Sequence, residues 1–391
     1  MARKCFNSVK DNQKGKMDFN LPEETIAVRD LVTEFSKKNI EPIAARIDKE
    51  ELFPTQIFRE LGRLGLLGLT VTEEYGGAGM NYLTEGVALE EISYYSGSFG
   101  LSYGAHNNLV VDNLFRNGNR EQKERYLPGL VSGEKIGSLC LTEPGAGSDA
   151  LGGMLTTYES RGEKYEINGS KTFITNAPVA DVFLVYARSG KSYSAFILER
   201  NDGVETPKKI RKLGMKGSPT GEVVFRNVIV GKERILKGEG QGRNIIYQGL
   251  NAERAVLAFG PLGIARRALD EAISYSNQRE QFGKKIGEFE LIQEKLAYMF
   301  TRLESARLLA YKAAIMVGEK IADPSYAAAS IMMASETATQ IAKDALQIFG
   351  GYGYTEDYPL ERLLRDAILY EIGAGTTEIR KVVIARSLLK R

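Results

Sequence analysis

The sequence is poor in the residues that most often carry chemistry on their own. Its 391 residues include one histidine, two cysteines and no tryptophan. Cys5 and Cys140 stand far apart, which excludes a disulfide framework, and no cysteine or histidine spacing suits a metal ion. With His106 alone, acid–base work falls to carboxylates, lysine or tyrosine, or to a bound cofactor. His106 lies in Gly104-Ala105-His106-Asn107-Asn108 and reads as a structural or helix-entry residue. No apolar run approaches the ~20 residues needed to span a bilayer. Charge of one sign is also missing: 52 basic against 50 acidic residues leave +2, so neither nucleic acid nor an anionic membrane is expected as main partner. There is no internal repeat and no low-complexity tract.

What is present fits an ordinary globular chain, 43% hydrophobic and 26% charged, long enough for two or three domains. Residues 1–16, MARKCFNSVKDNQKGK, are basic and polar without the apolar centre of a secretory signal. They read as a disordered leader, with the fold starting near Met17. Residues 17–135 follow a helical period. Pro22-Glu23-Glu24 begins one helix with acids in its first turn, Pro54 opens another with Ile57, Phe58, Leu61 and Leu64 on one face, and 83–95, 108–115 and 122–130 continue the pattern to Pro128-Gly129. The loop Gly76-Gly77-Ala78-Gly79 is either a connector or a ligand-facing turn.

Near Ile136 the period changes to that of strands. Asn168-Gly169, between 165–167 and 171–174, predicts a tight hairpin. Further strands are predicted over 181–188, 193–199 and 222–230, so 136–242 reads as an antiparallel β-barrel or sandwich. From 243 to 391 the helical period returns, with long helices over 253–278, 289–317 and 324–349 that suit a bundle. The expected class is α+β: an N-terminal all-α domain, a central β-domain and a C-terminal four-helix bundle.

Two glycine clusters punctuate the last segment, Gly350-Gly351-Tyr352-Gly353 and Gly373-Ala374-Gly375. Singly, such glycines read as helix C-caps. As a pair flanked by Gln347, Arg362, Arg365 and Asp366, they favour a flat or phosphate-bearing ligand lying on the main chain.

Three stretches, taken with the domain order, resemble the acyl-CoA dehydrogenase family of flavoproteins. They are LTEPGAGSD at 141–149 with Gly152, REQFG at 279–283, and the spaced set Gln347, Gly350, Gly351, Gly353, Asp357, Arg362 and Asp366. The resemblance covers nearly the whole chain, and GLSYGAHNNL at 100–109, LNAERAVLAFGPLG at 250–263 and YEIGAGT at 370–376 are most similar to the isovaleryl-CoA dehydrogenase branch. It implies FAD as cofactor. Cys140, Leu141, Thr142, Gly147 and Ser148 would lie along the flavin, with Ser148 also touching the coenzyme A portion. Phe173, Ile174 and Thr175 match the strand beside the isoalloxazine; the family often has tryptophan at Phe173, so the apolar face is kept and an indole N–H is lost.

Arg279, Gln347 and Gly351 are implied to reach FAD across a dimer interface, where a guanidinium suits a diphosphate, and Phe282 and Gly350 are further expected FAD contacts. Glu290 stands where the family often has an FAD-contacting glutamine, so a carboxylate there departs from the pattern. Thr376 and Glu378 match FAD-contacting positions from the C-terminal side.

Most family members place their catalytic glutamate one residue before a Gly-Thr pair, and here that residue is Ala374. In the isovaleryl branch the base sits in a Leu-x-x-Glu-Arg segment, which Leu250-Asn251-Ala252-Glu253-Arg254 matches. Glu253 is therefore the expected base, with Glu371 as competing acid about one helical turn before Ala374. The alternative for Glu253 is an ordinary glutamate at a helix start. Asn251, Arg254, Gly373, Ala374, Gly375 and Ser148 are the expected substrate contacts, and the missing bulk at Gly373 and Ala374 leaves room for a short branched acyl chain.

By resemblance, Glu253 takes the α-proton of the thioester while a hydride leaves the β carbon for the flavin, giving a 2-enoyl-CoA. Electrons would pass to an electron-transferring flavoprotein. A homotetramer built as a dimer of dimers is implied, located in the cytoplasm if bacterial or archaeal and in the mitochondrial matrix if eukaryotic. The rival readings are a same-fold flavin oxidase using oxygen and a catalytically inactive binding homologue.

Overall fold

The computed structural model describes residues 20–321 and 323–390. The expected leader at 1–16, Cys5 and the expected start near Met17 lie outside the described residues. The N-terminal part is helical throughout: α1 Glu23–Asn39, α2 Ala44–Lys49, α3 Thr55–Arg63, α4 Tyr82–Tyr95, α5 Gly97–Gly104, α6 Asn113–Asn117 and α7 Arg120–Val131. In α1, Glu23 and Glu24 open the first turn and Lys37 and Lys38 close the last, matching the helix dipole at both ends. The Asn119 side chain and Gln122 form a reciprocal cap on α7.

Two local expectations fail in this part. Pro128 does not end α7, which runs on to Val131, because Leu127, Leu130 and Val131 are all buried and hold the last turn in place. The glycine-rich segment ahead of 108 is also helical. A π-helical stretch, Ala105–Asp112, joins α5 to α6 in one run. Gly100 admits a neighbour rather than breaking the helix, since a Cβ there would stand 2.1 Å from Ser93 Oγ.

The central sheet contains β1 Gly137–Cys140, β2 Thr157–Arg161, β3 Lys164–Thr175, β4 Val182–Ser189, β5 Ser192–Glu199 and β6 Thr220–Gly231. Its order is β1-β4-β2-β3-β6, with β5 on β4. The β2–β3, β3–β6 and β4–β5 ladders are antiparallel, whereas β1 and β2 meet β4 in parallel. The Asn168-Gly169 hairpin is not formed. β3 runs straight through that pair as a bulge against β6, and the turn between β2 and β3 falls at Gly162 instead. Gly169 has φ +148, and a Cβ on it would lie 2.6 Å from Thr156 Cα, so the glycine serves a close backbone crossing.

A two-stranded ribbon, β7 Glu280–Gln281 and β8 Lys284–Lys285, precedes the long helices. The helix expected from 253 starts at Gly242 and divides into α8 Gly242–Leu257 and α9 Phe259–Ser276. α10 Glu290–Gly318, α11 Pro324–Phe349, α12 Leu360–Leu369 and α13 Thr377–Leu388 complete the bundle. Buried Ala327, Ala328, Ala334, Ala338, Ala342 and Ala345 let α11 pack against its neighbours at the centre. One apolar core joins the bundle to α1, α3, α4 and α5. A second joins the π-helical segment and α7 to β4, β5 and α8, so the helical and β parts meet through buried surface.

Candidate active site

At the junction of the second core lies a small cleft of about 30 Å³. Asn108 and Leu109 reach it from the π-helical segment, Asn113 from α6, Leu139 and Leu141 from β1 and the residue beyond it, and Tyr186 from β4. Ile246, Gly249, Leu250 and Glu253 reach it from α8; their spacing of three, four and seven residues puts them on one helical face. The wide π turn brings Asn108 and Asn113, five apart in sequence, to the same cleft.

Glu253 lies near the C-terminal end of α8, not at a helix start as the alternative reading had it. Among the described residues its carboxylate takes no hydrogen bond or ion pair. Burial pushes its pKa up to about 7, and the neighbouring Arg254 and Arg380 oppose that rise only in part. Among the described residues it is the one acid lining the cleft.

The loop after α12 is fixed from below by two arginines. Arg254 Nε donates to Ala374 O at 3.3 Å, and Arg380 Nη2 donates to Tyr370 O at 2.7 Å and to Gly373 O. Arg380 is fully buried and also donates to Ser335 Oγ. Ala374 and Gly375 have φ +56 and +89, a left-handed turn that this grip maintains. Glu371 is not helical with Ala374, because α12 ends at Leu369 and a turn follows. A Cβ on Gly373 would meet only the Leu369 carbonyl oxygen, at 3.6 Å, so no neighbouring side chain occupies the place of the missing one. Asn251 is half-buried on α8, two residues before Glu253.

The stretches expected along a flavin come together. Thr172 N donates to Thr142 O at 2.9 Å and Ser138 Oγ to Thr175 O at 2.6 Å, which ties 138–142 to the end of β3. Lys171 and Glu143 form a buried ion pair of 2.8 Å. Glu143 also accepts from Leu155 N and Thr156 N, so the loop after β1 is pinned at its root. Past that root the backbone is open: a Cβ on Gly145 or Gly147 meets nothing within 4 Å, and Ser148 is exposed. Phe173 sits at a second bulge in β3 with φ +58, its ring 66% exposed, while Cys140 and Ile174 are buried behind it. An open glycine backbone beside a presented apolar ring fits an isoalloxazine.

A separate groove of about 500 Å³ is lined by Arg279, Gly350, Gly351, Tyr352 and Asp357 among others. Arg279 lies over the Tyr352 ring. A cation beside uncovered glycine backbone suits a diphosphate. Phe282, on the β7–β8 ribbon, is 94% exposed, and Gln347, Glu290 and Glu378 are exposed. Thr376 caps α13 by accepting from Ile379 N. Other residues flanking the glycine clusters serve the fold. Arg365 is held by Asp48 and Glu361, and Asp366 accepts from Met215 N. Gly353 packs against Leu346 O, 2.5 Å from where its Cβ would stand.

His106 is structural: Gly137 N donates to Nδ1, Nε2–H donates to Leu130 O, and burial lowers its pKa to about 4. Sequence reasoning missed Asn108, Asn113, Tyr186, Lys171 and Arg380. Lys171 leaves a signal, a lysine inside an apolar strand, as does the π-spaced asparagine pair.

Family models of the acyl-CoA dehydrogenase N-terminal, middle and C-terminal domains match residues 22–134, 138–228 and 240–389. A mitochondrial isovaleryl-CoA dehydrogenase of Arabidopsis thaliana is 48% identical over 370 residues, covering 93% of this chain and 90% of that relative. The solved structure of butyryl-CoA dehydrogenase from Megasphaera elsdenii has TM-score 0.93 and 38% identity, covering 95% of this chain and 100% of the other. The FAD complex of PigA has TM-score 0.91 and 31% identity, covering 95% and 99%.

Proposed function

The chain belongs to the acyl-CoA dehydrogenase family of FAD-dependent enzymes, and on that footing we propose that it desaturates a short branched acyl-CoA, isovaleryl-CoA foremost, with Glu253 as the base. The observation that carries this reading is the unpartnered Glu253 carboxylate in the cleft, with a pKa near 7 where most relatives' position for the base is Ala374. A base of that strength is part-ionised at neutral pH and can still accept an α-proton acidified by the thioester. FAD, when bound, accepts the hydride from the β carbon. The chain's own contribution is to hold the carboxylate against the α carbon and to keep water from the cleft with Leu109, Leu139, Ile246 and Leu250. Two C–H bonds break, one carbon–carbon double bond forms, and the proton rests on Glu253.

The space left by Gly373 and Ala374 supports a branch near the β carbon. Cys140 to Ser148 with Phe173 to Thr175 would hold the flavin ring, and Arg279, Gly350 and Gly351 the diphosphate. The nearly bare Phe282 ring beside Arg279 supports a site completed by a second copy of the chain, within a homotetramer. Electrons then leave to an electron-transferring flavoprotein. No helix among the described residues is long and apolar enough to cross a membrane. Anaerobic bleaching of the bound flavin against a panel of acyl-CoAs tests the proposal. Isovaleryl-CoA should react fastest among the alkyl thioesters; a yellow protein that no acyl-CoA bleaches overturns it, and hydrogen peroxide released during turnover would assign oxygen as acceptor instead.

A further inference from the structure

The cleft is not lined as a purely aliphatic chain requires. Asn113 and Tyr186 satisfy each other: Asn113 Nδ2 donates to Tyr186 Oη at 3.3 Å, and Asn113 Oδ1 accepts from Asn117. Asn108 differs. It lines the same cleft and is 4% exposed, yet among the described residues its Oδ1 finds no donor, and its Nδ2 makes only a long 3.5 Å contact to Glu85 Oε2. Glu85, 1% exposed, leaves its own Oε1 without a partner.

Beside them Asp112 accepts from Arg116 Nε at 2.6 Å, Tyr82 at 3.0 Å and Thr70 at 3.1 Å, while Arg116 Nη2 reaches neither Glu85 nor Asn108. Arg116 pairs with Asp112 and opposes the rise at Glu85 only in part. Burial first, and then Asp112, pushes the Glu85 carboxyl up to about 8. Unmet buried acceptors are costly to a fold, and adjoining ones at the edge of a substrate cleft mark a place where a donor arrives from outside the chain.

Resting on the reading of Glu253 as base, we propose that Asn108 and Glu85 form a tail subsite that receives a hydrogen-bond donor carried by the acyl chain, an ammonium matching it best and a hydroxyl next. An ammonium has three donors and no acceptor, which fits two acceptor oxygens and the surplus of carboxyl groups. The α,β-desaturation is unchanged and the donor group passes through untouched, so the product is the corresponding enoyl thioester with its amine or hydroxyl intact.

The test compares chains of equal size. δ-Aminovaleryl-CoA is set against hexanoyl-CoA, and γ-hydroxybutyryl-CoA against valeryl-CoA, with isovaleryl-CoA as reference and anaerobic flavin bleaching as readout. Each donor-bearing thioester should exceed its alkyl counterpart in kcat/KM by about tenfold or more, as expected where a buried polar group is left unpaired by the analogue. In Glu85→Gln and Asn108→Ser, checked for flavin content and Tm, that ratio should fall toward one. Isovaleryl-CoA turnover with no advantage for the donor-bearing chains overturns the subsite and leaves Glu253 standing. A preference for an acceptor-ended chain such as a keto acid also overturns it. If no acyl-CoA bleaches the flavin, the Glu253 reading falls and this one with it.

Discussion

The pH dependence of flavin reduction is the sharpest consequence of the site. Glu253 has a pKa of about 7, raised by burial against the opposing Arg254 and Arg380. Under substrate-limited anaerobic conditions the bleaching rate follows the ionised fraction of the free enzyme's base. From about half ionised near pH 7, that fraction drops to about one in a hundred near pH 5, so the rate should fall about fifty-fold. A glutamate at its ordinary value of 4.5 would lose less than about half over the same interval. Stopped-flow absorbance with substrate well below KM reads this directly.

Glu253→Gln should lower the rate by about 10²–10⁴-fold and remove the acid limb. Stability gives an independent check. The folded carboxyl binds its proton more tightly than the unfolded one, so its contribution is complete below about 4.5 and is lost as pH rises through about 7. Glutamine carries no such loss, so the Tm of the variant should gain on wild type as pH rises through that window. A profile whose midpoint stays near 4.5, or an acid limb that survives in Glu253→Gln, refutes the assignment.

Three further outcomes are expected. Lys171→Met strands the buried Glu143 carboxylate and should cost about 3–5 kcal/mol, with loss of bound flavin on gel filtration; an unchanged Tm would contradict the pairing. Gly169→Ala forces a side chain into φ +148 against Thr156 and should destabilise by about 2 kcal/mol in urea unfolding, whereas a neutral result would mean the bulge relaxes freely. Ala374→Glu should restore part of the flavin bleaching lost in Glu253→Ala, since Arg254 binds the Ala374 carbonyl next to Glu253; a folded, FAD-bound double variant without activity would count against that geometry.

Much of the fold was legible because burial imposes period. The strands expected over 181–188, 193–199 and 222–230 are β4 Val182–Ser189, β5 Ser192–Glu199 and β6 Thr220–Gly231, differing by at most two residues at an end. The failures came where a short-range signal met a long-range contact. Asn168-Gly169 favours a turn locally, but β6 pairs with β3 on both sides of it and makes the pair a bulge. Individual helices are legible over 83–95 and 108–115 only, yet the chain between them is helical too, with Gly100 packed against Ser93. Pro128 looks like a stop until the buried last turn of α7 outweighs one missing amide.

The site was legible only where one helix carries it. Leu250 and Glu253 share a face of α8, and the Leu-x-x-Glu-Arg spacing reports that face. Asn108, Tyr186 and Arg380 belong to other elements, and nothing in the chain order says that they meet. What the sequence could not supply is the accounting of buried charge. Glu90, Glu91, Asp112 and Glu143 each lie against an arginine or lysine, and Asp366 takes the Met215 amide. Pairing of this kind is what burial of a carboxylate demands. Glu85 departs from it with one long amide contact, and the half-buried Glu253 has no partner among the described residues. Both lead to the same cleft, Glu253 directly and Glu85 through Asn108. Two uncompensated acids converging on one cavity are a cost to folding, and the reaction proposed for that cavity needs one of them free to take a proton.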